Sequence, residues 1–138
     1  MITTKNTSFS NMHVMRVPFE YQGILYHSTE NFYQAMKSTD HDIRRQIAAM
    51  NPYESKKAGK TVKLRPDWDE IKLKVMAYAI KRKFGLSPYK EALIRTGSQE
   101  IVEVNTWNDT FWGVCKGVGH NHLGRILMDF RAELGATK

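Results

Sequence analysis

The segment "RPDWDEIKLKVMAYAIKRKFG", residues 65–85, does most to limit what this chain can become. It is one unbroken run with helical periodicity, opened by an acid at Asp67 and stopped by Gly85. Trp68, Ile71, Val75, Met76 and Ala79 recur on one face, so the helix has to lie on a core. Lys72 and Lys83 fall in the same sector. A lysine placed there either packs its stem and sends its amine to water, or ends in a cleft that receives an anion.

Shorter elements surround that helix. "VPFEYQGILYHS" reads as a β-hairpin about Gln22-Gly23. A helix is expected from Thr29 to about Ser38, then another over "DHDIRRQIAAM" that Asn51-Pro52 stops. "YESKKAGKT" reads as a short helix or a turn. "SPYKEALIRTG" is a helix opened by Ser-Pro and closed by Gly97, and "EIVEVN" alternates as a strand. "NHLGRILMDFRAEL" is a final helix, with Asn121 as a natural N-cap and Leu123, Leu127, Phe130 and Leu134 on its core stripe. No repeat, low-complexity tract or linker interrupts the run. The expectation is one domain over residues 1–138, of α+β class, helix-rich, with a small antiparallel β-sheet.

At 138 residues the chain can bury a proper core. No apolar run is long enough to span a membrane, and "MITTKNTSFSNMHVM" lacks the basic start and apolar centre of a signal peptide. One cysteine, Cys115, excludes an internal disulfide and fits a reducing cytoplasm. The net charge of +7 and a pI of about 9.6 point to polyanionic company: nucleotide, nucleic acid or a phosphorylated substrate. The excess lies between Lys56 and Lys83, where a solvated face is the plainer explanation.

The chemistry-bearing pattern begins in "HSTENFYQAMK". Glu30, Tyr33, Gln34 and Lys37 share one helical face, while Phe32, Ala35 and Met36 fall on the other. Such a face is either solvated surface or the lining of a cleft. Near the other end, Gly113, Gly117 and Gly119 form a glycine-rich loop that runs into a helix. That layout suits a phosphate, although glycines also simply make turns. Gly124, Met128 and Arg131 line one side of that helix. Trp112 is either a core tryptophan or a ring that stacks on a base. His120 and His122 have no third ligand at a recognisable spacing, and Cys115 has only Lys116 as an activating neighbour, so no metal or thiol chemistry is expected.

Taken in order, "FSNM", "TENFYQAMK", "LRPDWDEIKLKVM", "KRKFG", "IRTGSQEIVEVN", "DTFWG" and "GHNHLGRILMDFR" resemble the NADAR domain family of YbiA-like N-glycosidases, from Phe9 to about Leu134. The resemblance implies hydrolysis of an N-glycosidic bond between ribose and a base-like nitrogen, with no cofactor. It implies phosphorylated riboflavin-pathway intermediates or ADP-ribose on guanine of DNA or RNA as substrates. Matching motif to motif, it implies catalytic roles for Glu30 and Asp109, with Lys37 as an amine able to form a Schiff base. It implies substrate contacts for Gln34, Arg65, Trp68, Lys72, Trp112, Gly113, Asn121, Gly124 and Arg131, with the glycine loop, Lys72 and Arg131 on phosphate. Val114, Cys115 and Lys116 depart from the glycines usual after "WG" in the family. Two other readings stay open: a module that binds ADP-ribose or a nucleotide without cleaving it, and a basic nucleic-acid-binding protein.

Overall fold

The computed structural model describes residues 1–136, so the last two residues of the expected domain lie outside it. In chain order the elements are β1 (Ile2–Thr3), β2 (Phe19–Tyr21), β3 (Ile24–Tyr26), α1 (Thr29–Ala35), α2 (His41–Ala48) and α3 (Pro52–Gly59). They continue with α4 (Trp68–Phe84), α5 (Tyr89–Arg95), β4 (Ile101–Val102), β5 (Val104–Asn105), β6 (Val114–Cys115) and α6 (His122–Ala136). The class is α+β and helix-rich, as expected. The chain groups into two compact units, Asn11–Ala79 and Met1–Ser10 with Ile80 onward, and the division falls within α4.

In the unit Asn11–Ala79, the hairpin forms because Gln22 and Gly23 both take positive φ, 50° and 82°, which matches the twist of a two-residue turn. Phe19 pairs with Tyr26 and Tyr21 with Ile24. Ser28 caps α1 by accepting from the Asn31 amide at 2.9 Å. The helix stops at Ala35 rather than near Ser38. Lys37 and Ser38 then donate to Gln34 and Ala35, bonds of tighter pitch that replace the α-helical ladder. Asn51-Pro52 does more than end α2: Asn51 and Glu54 make a capping box, Pro52 sits in the first turn, and α3 begins there. The core centres on Phe32, whose ring meets Phe19, Tyr21, Tyr26 and Tyr78 at 5.2–5.5 Å. Each such aromatic contact contributes about 0.5–1.5 kcal/mol beyond burial.

In the other unit the strands differ from expectation. The expected antiparallel sheet reduces to the hairpin, while β1 pairs with β4 and β5 with β6, both in parallel. "EIVEVN" is not one strand. At Glu103 the backbone changes partner: its N–H goes to the Asn121 side chain and its carbonyl accepts from Val114. Asn121 is not an N-cap either. Its φ is 54°, and its amide instead donates to the Ile101 carbonyl and accepts from the Glu103 N–H, both at 2.9 Å. The α5 start likewise lacks a side-chain cap, because Ser87 donates to the Glu91 carboxylate at 2.6 Å. Leu123 and Leu127 of α6 are buried as expected, while Phe130 and Leu134 are only half-buried.

The two lysines of the α4 apolar sector part company. Lys72 is half-buried, with Asp69 at 3.4 Å. Lys83 is wholly buried, donates to the Ser10 carbonyl at 3.0 Å, and lies over the Phe84 and Tyr89 rings. Burial pushes its amine down to about 7.

Candidate active site

Helix α1 is buried on both faces, so its polar side is not solvated surface: Glu30 is 8% exposed and Gln34 4%. Glu30 enters the first turn, where the helix dipole favours a carboxylate, and its N–H donates to the Asn11 carbonyl at 3.2 Å. One turn on, Gln34 Nε2 donates to Glu30 Oε2 at 2.6 Å. That charge-assisted bond fixes the carboxylate's orientation. Gln34 Oε1 is buried without a hydrogen-bond partner and occupies the space where a Cβ on Gly59 would sit. Only a glycine in α3 permits that approach.

Lys37 follows on the same side. Its Nζ lies 5.6 Å from the Tyr33 ring centre, and Tyr33 packs on the buried Trp68 at 5.0 Å. The Lys37 amine is held below its ordinary value, first by burial and then by Lys60, Lys56 and Lys72, with Glu30 acting in the opposite sense. The Lys37 carbonyl accepts from the Arg65 N–H at 2.9 Å. The Arg65 guanidinium is engaged by Asp67 through two bonds of 2.7 and 3.2 Å, which keep the Asp67 carboxyl below its usual range. Arg65 also lines a cavity of about 660 Å³ beside α2, whose lining does not include Glu30.

The remaining expected residues belong to the other unit. Asp109 Oδ1 accepts from the amides of Phe111 and Trp112 at 3.1 and 2.9 Å, and Asn105 accepts from Asp109 N–H at 3.0 Å. This makes Asp109 the pin of the loop that presents Trp112. Trp112 is half-buried, edge-on to Phe111 at 4.9 Å. A Cβ at Gly113 would strike the Glu103 carbonyl, and one at Gly124 would strike the Ile101 carbonyl. These glycines therefore serve close backbone packing. In the expected phosphate loop the amides of Val114, Cys115, Val118 and residues 120–123 donate to backbone carbonyls. Arg131 Nη1 donates to Thr96 Oγ1 and the Gln99 carbonyl at 2.9 and 2.8 Å, tying α6 to the segment after α5. Among the described residues no group of three His, Cys, Asp or Glu gathers to hold a metal, and no helix is long and apolar enough to cross a membrane.

Sequence reading passed over Asn11 as the acceptor that seats α1, and Gly59 as the surface against which Gln34 rests. The "KKAGK" glycine offered a signal, but only the partner helix reveals what it accommodates.

The site thus joins a buried carboxylate and the amide that holds it, both on α1, to a half-buried amine just past the end of that helix, in an α+β chain. Residues 2–135 match the NADAR domain, and the chain belongs to that family. It is 38% identical over 121 residues to an N-glycosidase of Nostoc punctiforme, covering 82% of this chain and 77% of that protein. It is 31% identical to N-glycosidase YbiA of Escherichia coli, over 88% of this chain and 78% of that one. The NMR structure of E. coli YbiA superposes with a TM-score of 0.84 at 29% identity, covering 99% of this chain and 85% of that chain. A chloroplastic riboflavin biosynthesis protein of maize, PYRR, is 34% identical over 94% of this chain, which spans 24% of that longer protein.

Proposed function

We propose that this chain is an N-glycosidase that hydrolyses the bond between C1 of a phosphorylated ribosyl group and a base-like nitrogen. The observation that carries the reading is the Glu30–Gln34–Lys37 set, a carboxylate oriented by an amide beside an amine with lowered proton affinity. The N-glycosidase names of relatives that share most of the chain support it. Breaking C1–N leaves positive charge on the sugar and calls for a proton on the departing nitrogen. A fixed carboxylate stabilises the first and, when protonated, supplies the second.

Lowering the Lys37 amine moves it toward the neutral form that a covalent route requires, because only a neutral amine is a nucleophile. The ribose opens as C1–O4 breaks, the ring oxygen takes a proton and C1 becomes doubly bonded to the base nitrogen. Neutral Lys37 Nζ then adds to C1, breaking that π bond to give an aminal whose Nζ proton passes to Glu30. The C1–N bond to the base breaks as its nitrogen takes a proton by way of Glu30. Water then hydrolyses the C1–Nζ Schiff base, which frees the sugar aldehyde and restores the amine. Lys72, of the same unit as Glu30 and Lys37, contacts phosphate. The riboflavin name of the maize relative favours a pyrimidine ribosylamine phosphate, and the basic surface favours ADP-ribosylated guanine of nucleic acid as the other substrate type.

Borohydride added during turnover tests the route. The expected result is a stable adduct carrying the sugar's mass on the peptide that contains Lys37. Absence of the adduct under single-turnover conditions, together with an active Lys37→Arg variant, leaves Lys37 a positioning residue and returns the reaction to direct attack by water.

A further inference from the structure

Helix α1 runs out just before Lys37, and a helix end leaves its last carbonyls without helical partners. Two arginines take three successive carbonyls there. Arg65 donates to Met36 through Nη1 at 3.4 Å and to Lys37 through its N–H at 2.9 Å. Arg44 of α2 donates to the Ser38 carbonyl through Nε at 2.8 Å. Basic side chains commonly close helix ends in this way. Arg44 stands apart, because it is only 8% exposed and, among the described residues, pairs with no carboxylate. Its other bond also goes to a neutral group, from Nη1 to Gln22 Oε1 in the hairpin turn at 3.1 Å. Burying a cation against neutral acceptors is costly, so what it holds is informative. What it holds is Ser38, itself buried, the residue directly after Lys37.

We infer that Arg44 is a positioning residue for Lys37, acting through the backbone and not on the amine. The Lys37 N–H donates to the Gln34 carbonyl at 3.2 Å, the Lys37 carbonyl is held by Arg65, and the Ser38 carbonyl is held by Arg44. The peptide groups on both sides of the Lys37 Cα are therefore fixed, and its side chain leaves in one direction, with Nζ 5.6 Å from the Tyr33 ring centre. The inference rests on the N-glycosidase reading for what meets Lys37, and extends it by naming what aims the amine. A reacting group displaced by about 1 Å loses roughly 10²-fold in rate, so freeing this backbone costs reactivity out of proportion to stability.

Ribose 5-phosphate with cyanoborohydride tests this on the whole chain without requiring cleavage of an N-riboside. The open-chain aldehyde condenses with a neutral lysine amine, water leaves, and hydride reduces the C1–Nζ imine to a stable secondary amine. Mass spectrometry reads the rate at Lys37 against that at the exposed Lys57 in the same sample. In Arg44→Gln this ratio falls by roughly tenfold or more, and Arg44→Lys, which keeps a donor for the Ser38 carbonyl, restores most of it. Ile47→Val, a core change on the same helix, lowers the melting temperature and leaves the ratio near wild type. Should Arg44→Gln not fold, Gln22→Ala decides, because it frees the far end of Arg44 and lowers the ratio severalfold. A wild-type ratio in the deciding variant, no rescue by Arg44→Lys, an equal fall in Ile47→Val, or no labelling of Lys37 in the wild-type chain overturns the inference. The expected pattern in a chain that cleaves no N-riboside overturns the N-glycosidase reading and leaves the role of Arg44 standing. Loss of the pattern in a chain that does cleave one overturns the role of Arg44 alone.

Discussion

Glu30 is oriented by two contacts whose own supports are separable. The Gln34 amide fixes the carboxylate, and Gly59 leaves the room that the amide needs. Glu30→Gln keeps the size and most packing of the side chain but removes its charge. Turnover is expected to fall about 10²-fold or more while ligand affinity stays within a few-fold; near-normal turnover would remove Glu30 from the chemistry. Gly59→Ala pushes the Gln34 amide away, costing roughly 1–3 kcal/mol of stability and most of the activity. The test is its coupling: in a Gln34→Ala background, Gly59→Ala should do little further harm to either stability or turnover. Additive losses in the double variant would show that Gly59 acts elsewhere. Asp109 differs from Glu30, because one of its oxygens already serves two loop amides. Asp109→Asn keeps that acceptor and should retain most turnover, whereas Asp109→Ala should lose it. An inactive Asp109→Asn chain with an unchanged melting temperature would instead mark a catalytic carboxylate.

At the level of elements, what was legible in the sequence is what local signals determine. The α4 run, the Gln22-Gly23 hairpin and the capped start of α1 each carry their own turn or cap chemistry, and each appears where expected. The parallel pairs were not legible. Ile2 finds Ile101 across nearly the whole chain, and two-residue strands are too short for alternation to register. The site was legible as a polar helix face, but the choice between surface and cleft depended on α3, which periodicity in α1 cannot reveal. Lys83 shows the same limit on α4, since its burial depends on Ser10, Phe84 and Tyr89. Its consequence is a dependence on pH. The folded-state value of about 7 lies below the ordinary 10.5, so between these values the unfolded chain holds a proton that the folded chain has released. This group's contribution to stability therefore rises with pH from about 7 toward 10.5, and is least favourable below 7, where both states are charged. Lys83→Met should raise the urea midpoint at pH 6.5 and flatten the increase between pH 7 and 9 seen in the parent chain. An unchanged pH slope would mean that Lys83 stays charged in the fold.

For the whole molecule, the net charge of +7 admitted nucleotide, nucleic acid and phosphorylated small molecules alike, and only membership of the NADAR family narrows that range. The family match runs over residues 2–135, through both compact units, and the proposed chemistry rests on Glu30, Gln34 and Lys37 of the unit Asn11–Ala79. A protein that merely bound ADP-ribose or a nucleotide would share this surface, and a basic nucleic-acid binder would share the lysines. Neither would alter the ligand. The most direct test is therefore to incubate the wild-type chain and Glu30→Gln with pyrimidine ribosylamine phosphate and with ADP-ribosylated guanine DNA, and to weigh the products by mass spectrometry. The expected result is release of free base and free ribosyl product from at least one substrate by the wild-type chain, with little or none from Glu30→Gln. Recovery of both substrates intact after binding to the wild-type chain would contradict the account.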